Sequence, residues 1–147
     1  MKKIIVGIII VGILGIGIYL YYSESTYSAT DVLKRADFSV EEQSVELLKF
    51  QYGKKAEELL APIELTGKTQ KELIKAFEKS KFKKFKRGGS VNLDNEYWMR
   101  ITLNTGYGMF MDVTNKGIAV EDNRGSFDRY LFEDDEFFSI LEEAMTE

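Results

Sequence analysis

Hydrophobic residues fall into three patterns along this chain, and each predicts a different kind of element. From Ile4 to Tyr22 the run IIVGIIIVGILGIGIYLYY carries no charge over 19 residues. As a helix it would rise about 28 Å at ~1.5 Å per residue, close to the ~30 Å hydrocarbon thickness of a bilayer. Tyr19, Tyr21 and Tyr22 gather at one end, where amphipathic rings favour the lipid–water boundary. Lys2 and Lys3 mark the other end, while Glu24 and Asp31 precede the first basic residues beyond it, Lys34 and Arg35. The positive-inside bias then leaves the N-terminus in the cytoplasm and the remainder outside. A cleaved signal peptide is the rival reading. Its apolar core usually spans about 7–15 residues, shorter than this one, and no A-x-A site follows; Ser23-Glu24-Ser25 is the nearest small-x-small triplet. The glycines at 7, 12, 15 and 17 lack the i, i+4 spacing of a G-x-x-x-G dimer motif.

Period-two alternation dominates the second half. Tyr97, Met99, Ile101 and Leu103 alternate with Trp98, Arg100, Thr102 and Asn104, and Tyr107, Met109, Met111 and Val113 repeat the pattern after Asn104-Thr105-Gly106. Asn115-Lys116-Gly117 turns the chain into a third strand with Ile118 and Val120. A looser connection, Asn123 to Asp128, leads to a short strand from Arg129 to Phe132. Strands joined by such tight turns must be antiparallel neighbours, so a meander is predicted.

Helical periodicity appears twice. Thr69 with Glu72 reads as a capping box opening a helix to about Ser80, with Leu73, Ile74 and Phe77 on its buried stripe. A final helix starts near Asp135 behind Glu133 to Glu136, acids that suit a helix N-terminus, and buries Phe137, Phe138, Leu141, Ala144 and Met145. Between the anchor and these elements the signals are weaker. Residues 23–37 read as a polar tether. Ser39 and Glu42 would cap a helix ending at Gly53, but Leu48, Phe50 and Tyr52 alternate as in a strand, the reading adopted here. Pro62 blocks helix continuation, and Ile63-Glu64-Leu65 is a short strand candidate. The expected fold is α+β: an N-terminal transmembrane helix (1–22, cytoplasmic tip 1–3 and span 4–22), a tether, and at 38–147 a two-layer domain with an antiparallel meander sheet and two helices.

The segments IELTGKTQKELIKAF, YWMRITLN, GMFMDV, GIAV and RYLFEDDEFFSILEEAM, within roughly residues 63–145, resemble small extracytoplasmic domains of Gram-positive, Bacillus-type bacteria carried on membrane anchors or lipoproteins. The resemblance implies an α+β fold and an extracytoplasmic location, and brings no catalytic residue with it. Such lipoproteins keep a lipid-attachment cysteine; this chain has none and carries the apolar helix instead.

Composition narrows the chemistry. With no cysteine there is no disulfide, thiolate nucleophile or zinc–sulfur site, and with no histidine most hydrolase triads and transition-metal sites are removed. No cofactor is implied. Setting aside Lys2 and Lys3, 18 basic residues face 24 acidic ones, a balance against general nucleic-acid binding. Within it stands KSKFKKFKR, with Lys79, Lys81, Lys83, Lys84, Lys86 and Arg87 around Phe82 and Phe85. It reads either as a contact for anionic lipid, wall polymer or nucleic acid, or as a solvated helix end whose phenylalanines enter the core. Trp98 and Phe110 fall on the sheet face opposite Tyr97 and Met109. They would mark a partner surface if that face is open, or be covered by the N-terminal strand or tether. The acids 133–136 suit either helix capping or Ca²⁺; in Asp112–Gly117, Lys116 stands where a Ca²⁺ loop needs an oxygen ligand. The expected function is a membrane-anchored extracytoplasmic interaction domain, held in lipid through residues 4–22 and binding a protein or envelope polymer. The alternative is an envelope hydrolase using paired carboxylates, although no spacing singles out a pair.

Overall fold

A computed structural model describes residues 2–23, 25–51, 53–55, 58–85, 97–103, 108–113, 117–121 and 127–146. The elements in chain order are α1 (Lys2–Ser23), β1 (Thr26–Tyr27), α2 (Ala29–Val32), β2 (Gln43–Phe50), β3 (Leu60–Ile63), α3 (Gly67–Lys79), β4 (Phe82–Lys84), β5 (Tyr97–Leu103), β6 (Gly108–Val113), β7 (Gly117–Glu121), β8 (Phe127–Phe132) and α4 (Glu136–Thr146). All eight strands join one antiparallel sheet in the order β1-β4-β8-β7-β6-β5-β2-β3. The predicted meander is its centre, β5 to β8. The Asn104–Gly106 and Asn115–Lys116 turns themselves lie outside the described residues, as does most of the 123–128 connection.

One register runs through the sheet. Val45 pairs with Ile101, Leu47 with Ile63 and Met99, Met99 with Met111, Val113 with Ile118, Ile118 with Tyr130, and Phe82 with Phe132 and Tyr27. Because side chains alternate at period two, these residues share one face, and they are the sheet's contribution to the core. Leu73, Ile74, Ala76 and Phe77 of α3, Phe137 and Leu141 of α4, and Ala29 and Val32 of α2 complete that core. The helices following β1 therefore cover one face, and the other carries alternate residues such as Ser44, Glu46, Arg100 and Arg129. Gly117 lies where β7 meets β8 closely: a Cβ there would run into the Tyr130 carbonyl.

Several sequence expectations need correction. Residues 23–37 are not a free tether. Ser28 accepts from the Asp31 backbone N–H and receives the Asp31 carboxylate on its own N–H at 2.8 Å, a capping box that opens the single turn α2. That turn delivers Ala29, Val32 and Leu33 into the core. A polar-looking segment hid it, since one turn needs only two or three apolar positions. Among the described residues the domain accordingly has three helices rather than two. The helix expected behind Thr69 begins one turn earlier: Thr66 is the N-cap, its hydroxyl accepting from the Thr69 N–H at 3.1 Å. The short strand occupies residues 60–63 and includes Pro62. Proline survives there because β3 is the sheet edge, where a missing N–H breaks no ladder. Residues 43–50 form a strand, as the alternation indicated.

The N-terminal run is helical as expected, over Lys2–Ser23. Among the described residues no helix is long and apolar enough to cross a membrane. Within α1 the described side chains run from Gly7 to Leu20; those of Ile4 to Val6, Tyr21 and Tyr22 lie outside them.

Leu33→Ala tests the new place of residues 25–33. A core leucine truncation costs about 2–5 kcal/mol, whereas truncation in a free tether would leave stability unchanged, and denaturant unfolding of the full chain in mild detergent separates the two.

Candidate binding surfaces

The basic segment begins at a helix end, with Lys79 the last residue of α3, and continues as the strand β4. After α3 closes at Ser80, whose N–H reaches the Ala76 and Phe77 carbonyls, the chain extends into β4. Alternation then divides the lysines. Phe82 is fully buried and Lys84 lies on its face, while Lys83 points to the open face. Both strand lysines are paired: Lys83 Nζ is 3.2 Å from Glu133 Oε1 and Lys84 Nζ is 2.8 Å from Asp128 Oδ2. Lys79 and Lys81 are exposed; Lys86 and Arg87 lie outside the described residues. Register thus puts Lys83 and Lys84 on opposite faces of the sheet. The acids at 133–136 explain part of this, since Glu133 donates its N–H to the Lys81 carbonyl and Asp134 accepts from the Ser80 hydroxyl at 3.4 Å.

Around Lys84 a polar corner forms at the margin of the core. Its ammonium sits 5.9 Å from the Tyr130 ring centroid, and Tyr27 meets Tyr130 edge-on at 5.6 Å. The hydrogen bond to Asp128 raises the Lys84 pKa, against a smaller opposing effect of burial. Burial first, and then the Asp128 charge, push the Tyr130 phenol above its ordinary value of 10.0. Two exposed carboxylates move the other way: Asp31 is lowered by hydrogen bonds from Ser28, and Asp37 by hydrogen bonds from Ser39.

On the open face, register puts position 98 beside Leu48, Leu48 beside Pro62, and Phe50 beside Leu60. Position 110 falls beside Arg100, which reaches Glu46 Oε2 at 3.3 Å. Positions 98 and 110 therefore alternate with Met99 and Met111 along the strands, and the side chains of Trp98 and Phe110 lie outside the described residues. Leu60 is the one exposed large apolar residue beyond α1 among the described residues. It extends the strip toward the β3 edge.

A cleft of about 390 Å³ opens on the helix-covered face near β3. Ile63, Leu65, Ala144 and Met145 supply apolar wall, and Lys49, Glu64, Thr66 and Thr69 supply polar atoms. The α3 end of this site is fixed by Gln70, whose amide accepts from the Val45 N–H at 3.1 Å and donates to the Leu65 carbonyl at 3.0 Å. Sequence reasoning missed this cleft because its walls come from β2, β3, α3 and α4, remote from one another along the chain. Among the described residues no group of three or more acids could hold a metal ion, so the Ca²⁺ reading of the acidic run gains no site. Set against known proteins, the chain matches no family model, no curated sequence and no solved structure.

The Lys84–Tyr130 corner makes alkaline stability testable. Both groups hold their protons more tightly when folded, so their contribution is complete below the unfolded pKa values and lost as pH rises through the folded ones. Stability should hold from neutrality to about pH 10 and then fall, with a shallower fall in Tyr130→Phe. Urea midpoints across that range, compared between the two proteins, are the measurement; identical slopes would remove Tyr130 from the account.

Proposed function

We propose that this chain is a single-pass membrane protein whose α+β domain, on the outer face of the cytoplasmic membrane, binds a protein or envelope-polymer partner without catalysing a reaction. One observation carries the reading. The described side chains of α1 are apolar and exposed on every side of the helix, with Ile8 at 67%, Val11 at 69%, Leu14 at 60% and Ile18 at 57%. Water disfavours such surface by about 25 cal/mol per Å², and a helix apolar all round requires cover all round. A protein groove covers a stripe; lipid surrounds the whole cylinder. The uncharged run continues past both ends of the described side chains, and Lys2 and Lys3 assign the inner side. The resemblance to anchored Gram-positive domains agrees with this compartment.

For the partner surface, the support is the apolar strip of Leu48, Phe50, Leu60 and Pro62 beside position 98, on a face that no described helix covers. The hydrolase alternative draws no comparable support. It needs a carboxylate with a raised pKa, and among the described residues the carboxylates clearly displaced, Asp31 and Asp37, are lowered.

Fractionation tests the anchor directly. The full-length chain should stay with the membrane pellet after alkaline carbonate washing. Val11→Lys with Leu14→Lys should release it, since each lysine at mid-bilayer costs about 2.5–3.5 kcal/mol on the insertion scale. Protease added to spheroplasts should digest the C-terminal domain. A parent chain freed by the wash, or a domain that survives protease, overturns the reading.

A further inference from the structure

The short path from α1 to the sheet has a consequence for how the domain stands on its membrane. Three Cα steps separate Ser23, the last residue of α1, from Thr26, the first of β1. An extended chain covers at most about 11 Å in three steps. Thr26 pairs with Lys83 and Tyr27 with Phe82, so β4 lies one strand spacing, ~4.8 Å, beyond β1. Residues nearly sixty apart in sequence are thereby brought to where the helix ends. Given α1 in a bilayer, the β1–β4 edge lies within a headgroup layer and one Debye length, ~8 Å at physiological salt, of the lipid. The β3 edge, with the apolar strip and the cleft, stands at the far side of an eight-stranded sheet.

The side chains at the near edge suit one kind of surface. On the open face Thr26 lies beside Lys83, Lys81 continues the alternation, and Arg129 lies diagonally across on β8. Lys81, Lys83 and Arg129 are exposed. Among the described residues two carboxylates share this face, Glu133, paired with Lys83, and Glu121, diagonal to Arg129 on β7. Asp134 turns instead toward Ser80, leading into α4 on the opposite face, and Asp128 is occupied by Lys84. Three cations against two anions, on a protein with an acidic total, is a local reversal of sign placed where lipid would meet it.

Resting on the anchor reading above, we propose that the β1–β4 edge sits on the anionic phospholipid headgroups of the membrane that holds α1, with Lys81, Lys83 and Arg129 toward the phosphates. The partner-binding edge then faces away from the membrane. The contact is intramolecular once α1 is inserted, so a few exposed cations suffice where they would not recruit a free domain.

The absence of native cysteine allows single labels. The full chain is placed in nanodiscs of phosphatidylcholine with or without phosphatidylglycerol. A fluorophore is attached at Glu78→Cys, near the basic edge, or at Glu64→Cys, near the far one, and quenched by headgroup-bound spin label. Quenching at position 78 should exceed that at position 64 several-fold in the anionic discs. The double variant Lys81→Glu with Arg129→Glu should weaken the contact on the order of tenfold or more. Salt of about 1 M, which shortens the Debye length to ~3 Å, should do the same without any mutation. Equal quenching at the two positions, or quenching at 78 indifferent to lipid charge and salt, overturns the proposal. A chain that does not co-elute with the discs overturns the anchor reading beneath it, and the two failures are told apart by that elution.

Discussion

The domain depends on the contacts of one side chain, Phe77. Its ring lies 5.1 Å from Phe82, 5.8 Å from Phe137 and 5.9 Å from Phe132, and stacks at 6.2 Å on Phe38. These partners come from β4, α4, β8 and the segment leading into β2. Phe132 in turn stacks on Phe137 at 5.0 Å and meets Phe82 at 4.7 Å. The cluster ties α3 and α4 to the β4–β8 half of the sheet. Each aromatic pair adds about 0.5–1.5 kcal/mol beyond the area it buries. Without it, β4 would be a three-residue strand held by backbone bonds and two exposed ion pairs.

That dependence explains why the lysine-rich segment is a strand. Phe82 must enter the aromatic cluster, and extended backbone is what carries the next residues along the flank of β8. Once Phe82 points inward, alternation sends Lys83 outward and Lys84 back over Tyr130. Of the six charges adjacent in sequence, the four described become two ion pairs on opposite faces and two exposed lysines in space. Local charge density is therefore a poor guide to surface potential wherever the backbone is extended.

The same logic joins α1 to the domain. β1 is two residues long, yet it pairs with β4 and is followed by a capped turn whose apolar residues are buried. A flexible tether would let the domain face any direction. β1 instead puts the chain that follows α1 on one edge of the sheet, with β3 at the other.

Much was legible in the chain alone. Strict alternation around Met99 and Met111 determined the central strands, the spacing of Leu73, Ile74 and Phe77 determined the face of α3, and the unbroken apolar run at 4–22 determined the first helix. These are local signals, because a period of two or 3.6 is written in consecutive residues. The tertiary structure alone decided the rest: that Ala29, Val32 and Leu33 belong to the core, that Lys83 and Lys84 part company, and that a cleft forms between Ile63 and Met145. Such features arise from residues that meet only after the sheet has registered eight strands, and pairing partners dozens of positions apart leave no mark in the sequence around either one.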